Sequence, residues 1–314
     1  MSFPKPFSVI VPCSTSNIGP GFDCLGLAFQ LHNEFAFNQQ SPTEGLTLNF
    51  SGPEKGRLVG KPDGFFFQAM RRVFEYVGEP IPAMRVEATV NVPNARGLGS
   101  SSTAIIGAML GANRIIKNPL SRDQILHLAV EFEGHPDNVT PALMGGLSAS
   151  LMTPQKEVIT QKYSPSEKIG FVVLSPDYEV PTSEARQVLP KSVSLTDAIA
   201  NSCRVPLLIQ ALVDGDLSNL KILTQDRFHE SQREHLMRHS AHLKRTALDA
   251  GAASATVSGA GPSLLAIATV EQCPEIAEAW NKEVKTLGLG GMARILKPDL
   301  QGARYREVEA AVTA

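Results

Sequence analysis

The chain has 314 residues, 43% hydrophobic and 19% charged, with a formal net charge of −2. That length accommodates two domains with sizeable cores, in the compositional range of water-soluble globular proteins. The near-neutral charge argues against nucleic acid as a partner, and no apolar run is long enough to cross a bilayer.

Residues 7–11 read as a first strand. Residues 12–26 hold three glycines, two prolines and an Asn, the composition of a structured loop, with Cys13 and Cys24 inside it. Asn17 and Asp23 are polar groups in that loop, a usual setting for binding groups. Strand-like residues resume over 25–38. The Gly-, Pro- and charge-rich residues 45–64 predict a surface excursion. Residues 64–77 predict a helix with Phe67, Met70, Val73 and Phe74 on its core face. Residues 84–91 alternate as a strand, and 104–116 read as a helix closed by Lys117-Asn118-Pro119.

Between those two elements lies Val92-Pro-Asn-Ala-Arg-Gly-Leu-Gly-Ser-Ser-Ser-Thr103. Gly97 and Gly99 open backbone angles that other residues avoid. The amides from Ser100 to Thr103 fall at a helix N-terminus, where unpaired N–H groups and the helix dipole favour an anion. Together these make a phosphate cradle. A Ser100 that merely caps the helix would leave the same local pattern. No Gly-Lys-[Ser/Thr] follows, and the third Gly of the dinucleotide fingerprint is missing, so neither of those loops is present.

Ser121 and Gln124 form a capping-box pattern that opens a helix through Phe132. That helix runs into a segment carrying Glu131, Glu133, His135, Asp137 and Asn138; locally, Asp137 and Asn138 could do no more than cap the next helix. The polar, Pro-containing residues 151–166 mark a domain boundary, giving domains 1–151 and 152–314. Residues 169–174 predict an inner strand. Thr182 and Arg186, four apart, share a face if their segment is helical. Residues 205–214 read as a helix ended by Gly215. His229, His235 and His239 lack metal-site spacing and have no cysteine nearby. Residues 243–250 predict a helix stopped by Gly251, 255–268 two strands about a Gly-x-Gly turn, 274–287 a helix with Pro274 in its first turn, and 292–296 a strand. The four scattered cysteines lack Cys-x-x-Cys spacing, and the N-terminus is broken by prolines. Reduced thiols and a cytoplasmic location are therefore expected.

Several of these stretches resemble one family. Pro-x-x-x-Gly-Leu-Gly-Ser-Ser is similar to the phosphate loop of the galactokinase, homoserine kinase, mevalonate kinase and phosphomevalonate kinase superfamily. Ser16-Asn-Ile-Gly-Pro-Gly-Phe-Asp-Cys-Leu-Gly26 resembles the first motif of homoserine kinases. Glu133-Gly-His-Pro-Asp-Asn-Val-Thr-Pro-Ala-Leu-Met-Gly-Gly146 and Pro181-Thr-Ser-Glu-Ala-Arg186 resemble their middle segments. Ser258-Gly-Ala-Gly-Pro-Ser263 resembles the superfamily's third motif.

The resemblance implies a two-domain α+β fold. Its N-terminal domain would be similar to the second domain of a small-subunit ribosomal protein, and its C-terminal domain ferredoxin-like. It also implies transfer of the ATP γ-phosphoryl group to the side-chain hydroxyl of L-homoserine, with Mg²⁺, for threonine synthesis. ATP would be held by Pro93, Asn94, Ala95, Arg96, Gly97, Leu98, Gly99, Ser100, Ser101, Ser102 and Thr103, and Mg²⁺ by Ser101 and Glu133. Asp137, Asn138 and Arg186 would be catalytic, Asp137 as a positioning group or base. The substrate would meet Asn17, Asp23, His135, Asp137, Asn138, Thr182, Arg186 and Arg233. Within that set, Arg186 and Arg233 would clamp the carboxylate while Asn17 and Asp23 face the ammonium. Ser258, Gly259 and Gly261 would brace the active site. Two alternatives stand beside this reading: a mevalonate-type kinase of the same superfamily, and a non-catalytic nucleotide- or RNA-binding module. Oligomeric state, a homodimer included, is left open.

Overall fold

Apolar residues alternate along Phe7, Val9 and Val11 and again along Phe35 and Phe37, and the two runs pair antiparallel, Val9 opposite Phe35. The structure, a computed structural model, describes residues 3–56 and 58–307. Its strands in chain order are β1 (Phe7–Asn17), β2 (Gly21–Gln39), β3 (Leu46–Ser51), β4 (Met84–Thr89), β5 (Leu147–Met152), β6 (Val158–Tyr163), β7 (Ile169–Ser175), β8 (Ser254–Val257), β9 (Leu264–Thr269), β10 (Met292–Leu296) and β11 (Arg304–Glu307). The helices are α1 (Phe65–Val77), α2 (Ser100–Ile115), α3 (Arg122–Glu133), α4 (Val139–Met144), α5 (Thr182–Gln187), α6 (Leu195–Asp214), α7 (Leu220–Leu223), α8 (Glu230–Arg233), α9 (Ser240–Asp249) and α10 (Cys273–Thr286).

Two sheets organise these elements. The first runs β11-β1-β2-β4-β3, with β5 joined to β2 and β6 to β5; the second runs β10-β7-β9-β8. Helices α1 to α4 pack on the first sheet around Phe35, Phe37, Met70, Ile105 and Met109. A second core, built from Leu25, Leu27 and Phe29 of β2 with Phe171 of β7 and Leu208 of α6, joins the two sheets. Trp280 of α10 and Leu243 of α9 close the far face of the second sheet. Strand β7 is therefore buried along its whole length, which its unbroken apolar run requires.

The structure departs from the sequence expectations in four places. Residues 12–26 are not an open loop: β1 and β2 run through them and leave only residues 18–20 as the turn, with Asn17, Ile18 and Gly19 at positive φ. Residues 45–64 contain β3, which pairs parallel to β4, so this segment is not only a surface excursion. Strand pairing does not divide at residue 151, because β6 continues the first sheet and β11 brings the end of the described chain back beside β1. Helix α6 starts at Leu195, ten residues before the expected 205, and carries Pro206 inside it.

Candidate active site

The phosphate loop lies where β4 hands over to α2. Gly99 is the N-cap of α2 at φ 64°, and a Cβ there would fall 2.4 Å from Ser14 Oγ and 2.9 Å from Asn138 Oδ1. Only glycine fits that angle in that space. The first intrahelical amide to find a carbonyl is Thr103, on Gly99 O at 3.0 Å, so the amides of Ser100, Ser101 and Ser102 open the helix N-terminus. The third Gly-rich turn braces the loop from behind: Ser258 Oγ donates to Gly97 O at 2.6 Å, and the Ser263 amide to Arg96 O at 3.3 Å.

Glu133, the last residue of α3, faces the first turn of α2. Ser101 Oγ and Ser102 Oγ donate to its Oε1 at 2.8 and 3.3 Å. Beyond it, His135 Nδ1 meets Asp137 Oδ1 at 2.5 Å. Asp137 is 2% exposed. Burial pushes its carboxyl up, but the hydrogen bond and charge of His135, with Ser16 and Arg186, hold it below the usual carboxylate range. Burial likewise pushes the His135 imidazole down, and the hydrogen bond and charge of Asp137 outweigh it, leaving His135 above its ordinary value. The two directions agree: each group favours the charged form of the other.

Two arginines complete the site. Arg186 Nη1 and Nη2 donate to Asp23 Oδ2 and Oδ1 at 3.1 and 2.7 Å. Arg233 is 2% exposed, and burial together with the Arg186 charge pushes its guanidinium down. Both guanidinium carbons sit over the Phe22 ring, at 5.6 Å for Arg186 and 5.4 Å for Arg233. Phosphate loop, Glu133, Asp137 and both arginines line one cavity of about 180 Å³.

That constellation has counterparts in known proteins. Residues 64–146 match the family model for the GHMP kinases N terminal domain, and residues 208–286 that for GHMP kinases C terminal. A homoserine kinase from Picosynechococcus sp. is 39% identical over 94% of this chain and 97% of its own. One from Crocosphaera subtropica is 39% identical over 96% and 98%. The chain belongs to the homoserine kinases of the GHMP family. The crystal structure of homoserine kinase from Cytophaga hutchinsonii is similar throughout, with a TM-score of 0.86 at 27% identity, covering 98% of this chain and 99% of that one.

Within this GHMP kinase fold, the expected site residues divide. Asn94, Ala95, Arg96, Gly97, Gly99, Ser100 and Ser101 line the cavity, as do Asn17, Asp23, Glu133, His135, Asp137, Asn138, Thr182, Arg186, Arg233 and Gly259. Pro93, Leu98, Ser102, Thr103, Ser258 and Gly261 are not among the lining residues, and Leu98 packs into the core that joins the sheets. Thr103 Oγ1 turns back to Ser100 O and accepts from Asn33. Asn17 differs from the expected ammonium contact: its Oδ1 accepts from the Asp23 amide and its Nδ2 donates to Gly259 O, so it holds the β1–β2 turn to the third Gly-rich turn. Asp23 is taken up by Arg186 instead of standing open. Asn138 donates to Ser16 Oγ and accepts from Ser14 Oγ, bracing β1 against α4.

Sequence reasoning missed Ser16, Phe22 and Ala260 as lining residues. Phe22 stands inside the quoted first motif, but its use as a shared platform for two arginines more than 160 residues away leaves no local signal.

Proposed function

We propose that the chain transfers the γ-phosphoryl group of ATP to the side-chain hydroxyl of L-homoserine, giving O-phosphohomoserine for threonine synthesis. The observation that carries this reading is the pair of guanidinium groups over Phe22, opening into the same cavity as the phosphate loop. An α-amino acid has a carboxylate for such cations and a hydroxyl that can then lie toward the loop. Arg233 keeps Nη2 for that carboxylate, while Arg186, both of whose Nη groups are held by Asp23, adds its charge.

The open amides of Ser100, Ser101 and Ser102 bind phosphate oxygens and fix the donor. Ser101 Oγ and Glu133 Oε1, 2.8 Å apart beside those amides, are the oxygen donors that fit Mg²⁺. Bound there, the ion would neutralise charge on the phosphate oxygens. Phosphoryl transfer asks for alignment and charge stabilisation more than for a strong base. Asp137 suits that demand: held ionised by His135, it orients the acceptor hydroxyl and takes up its proton late. No helix among the described residues is long and apolar enough to cross a membrane, and all four cysteines are free. This reading locates the enzyme in the cytoplasm.

Mg²⁺-dependent ADP release, measured with homoserine, mevalonate, galactose and shikimate side by side, tests it. Release with homoserine alone is expected. Release with mevalonate and not homoserine would move the substrate to the mevalonate-type alternative, and binding of ATP without turnover on any acceptor would leave a non-catalytic module.

A further inference from the structure

We infer that His229 is a positioning residue for the substrate carboxylate, acting through Arg233; the inference rests on the homoserine reading. His229 is fully buried and just precedes α8, away from the cavity wall. Its Nε2 meets the backbone carbonyl of Gly19 at 2.9 Å, and its Nδ1 meets Arg233 Nη1 at 3.2 Å. A carbonyl can only accept and a guanidinium can only donate. The two partners therefore select one imidazole: neutral, with its proton on Nε2 and a lone pair on Nδ1 turned to Arg233.

The rest of the Arg233 guanidinium shows what that lone pair does. Nε donates to Ala185 O at 2.9 Å, and Nη1 divides its two N–H groups between His229 and Gly259 O at 3.2 Å. The donors of Nη2 have no partner among the described residues, and Arg233 lines the cavity. With Nε and Nη1 fixed by three acceptors, Nη2 is left for a ligand carboxylate. Of the three, His229 is the only side chain.

Other contacts hold the imidazole itself. Its ring tilts against Phe22 at 5.3 Å between centroids, the ring that both arginines overlie. Asp226 Oδ2 accepts from the His229 amide at 2.6 Å and anchors the start of α8. Gly19 has φ 79°, and a Cβ there would lie 2.1 Å from Thr224 O, so this turn of the first motif must be glycine to set its carbonyl under His229. The first motif and the Asp226–Arg233 segment are in this way one device, in which the turn aims the imidazole and the imidazole aims the arginine.

Two substitutions separate this role from simple packing. His229→Asn keeps an acceptor near the position of Nδ1 and gives up the bond to Gly19. His229→Gln keeps a donor near the position of Nε2 for Gly19 and gives up the acceptor for Arg233. Steady-state ADP release, with homoserine and ATP varied separately, and thermal unfolding are measured on both and on the wild-type chain. The expected result is a homoserine KM roughly tenfold higher for His229→Gln, the size of one lost hydrogen bond to a charged group. The ATP KM and kcat should stay within about twofold, and His229→Asn should lie closer to wild type in homoserine KM. Equal homoserine KM values for both folded variants, or a larger rise in His229→Asn, overturn the inference. A wild-type chain with no activity on homoserine would instead refute the substrate assignment. If either variant fails to fold, homoserine affinity is measured for Phe22→Leu, which removes the ring beneath both arginines and beside His229. An unchanged affinity there counts against the same device.

Discussion

Replacing Arg233 by Lys keeps the positive charge and removes the fork. Arg233 reaches Ala185 O, Gly259 O and His229 Nδ1 at 2.9, 3.2 and 3.2 Å from two nitrogens, and Nη2 remains for substrate. A single ammonium cannot occupy those positions together. Losing one hydrogen bond from a charged group costs about 1.5–3 kcal/mol, or roughly ten- to over a hundredfold in apparent affinity. Leaving one of the two buried carbonyls without a donor removes about 1–3 kcal/mol from folding stability. Arg233→Lys should therefore raise the homoserine KM by that factor, leave the ATP KM nearly unchanged and lower the unfolding midpoint. ADP release with each substrate varied in turn, alongside circular dichroism, measures all three. A natively folded Arg233→Lys enzyme with wild-type homoserine KM would refute the reasoning, because a point charge would then do all that the fork does.

Gly99→Val should abolish ATP binding in calorimetric titration: φ 64° resists a β-branched residue, and its Cβ would meet Ser14 and Asn138. Unchanged ATP affinity in a folded variant removes the phosphate cradle. Glu133→Gln keeps the shape facing Ser101 but not the charge, so turnover should fall and the Mg²⁺ concentration for half-maximal rate should rise. An unshifted Mg²⁺ dependence takes Glu133 out of the metal site. The His135–Asp137 pair gives stability a defined pH window. His135, raised by Asp137, contributes fully below about pH 6.5, and that contribution is lost as pH rises through its raised value. Asp137, lowered by His135, contributes above about pH 3.9, and loses its share as pH falls through its lowered value. The stability gap between wild type and Asp137→Asn, measured by urea unfolding, should be widest between those limits and should shrink toward alkaline pH. A gap that does not change from pH 5 to 9 contradicts the pairing.

The parts of the site that could be read from the sequence are those made by neighbouring residues. Strand alternation, then Gly-Leu-Gly, then a helical run place the phosphate loop within 20 residues of chain, and Ser121 with Gln124 forms the capping box expected of it. Glu133 and Ser101 come together because α3 packs on α2, and no local pattern encodes that contact. Asp23 and Arg186 are 163 positions apart, so a carboxylate that looked free in the first motif is in fact a partner for one of the arginines. Strand β3 was hidden because only Leu48 of its residues is buried, and the glycines and charges around it mask the alternation. The long β1–β2 hairpin was hidden because glycine and proline usually break strands; here successive positive φ values compress the whole turn into three residues. Strand β11 joins β1 across nearly the full length of the chain, a pairing that no window of sequence can show.

The most direct measurement follows the phosphoryl group itself. The chain is incubated with ATP, Mg²⁺ and L-homoserine, and the products are read by phosphorus NMR with coupling to the carbon-bound protons of the acceptor. The expected product is ADP together with a phosphomonoester coupled to the side-chain CH₂ of homoserine. Its formation should be lost in Gly99→Val and require far more homoserine in Arg233→Lys. A phosphoryl group found on the carboxylate, or ADP formed with free phosphate and no phosphorylated homoserine, would contradict an acceptor hydroxyl held at Asp137 by arginines gripping the other end.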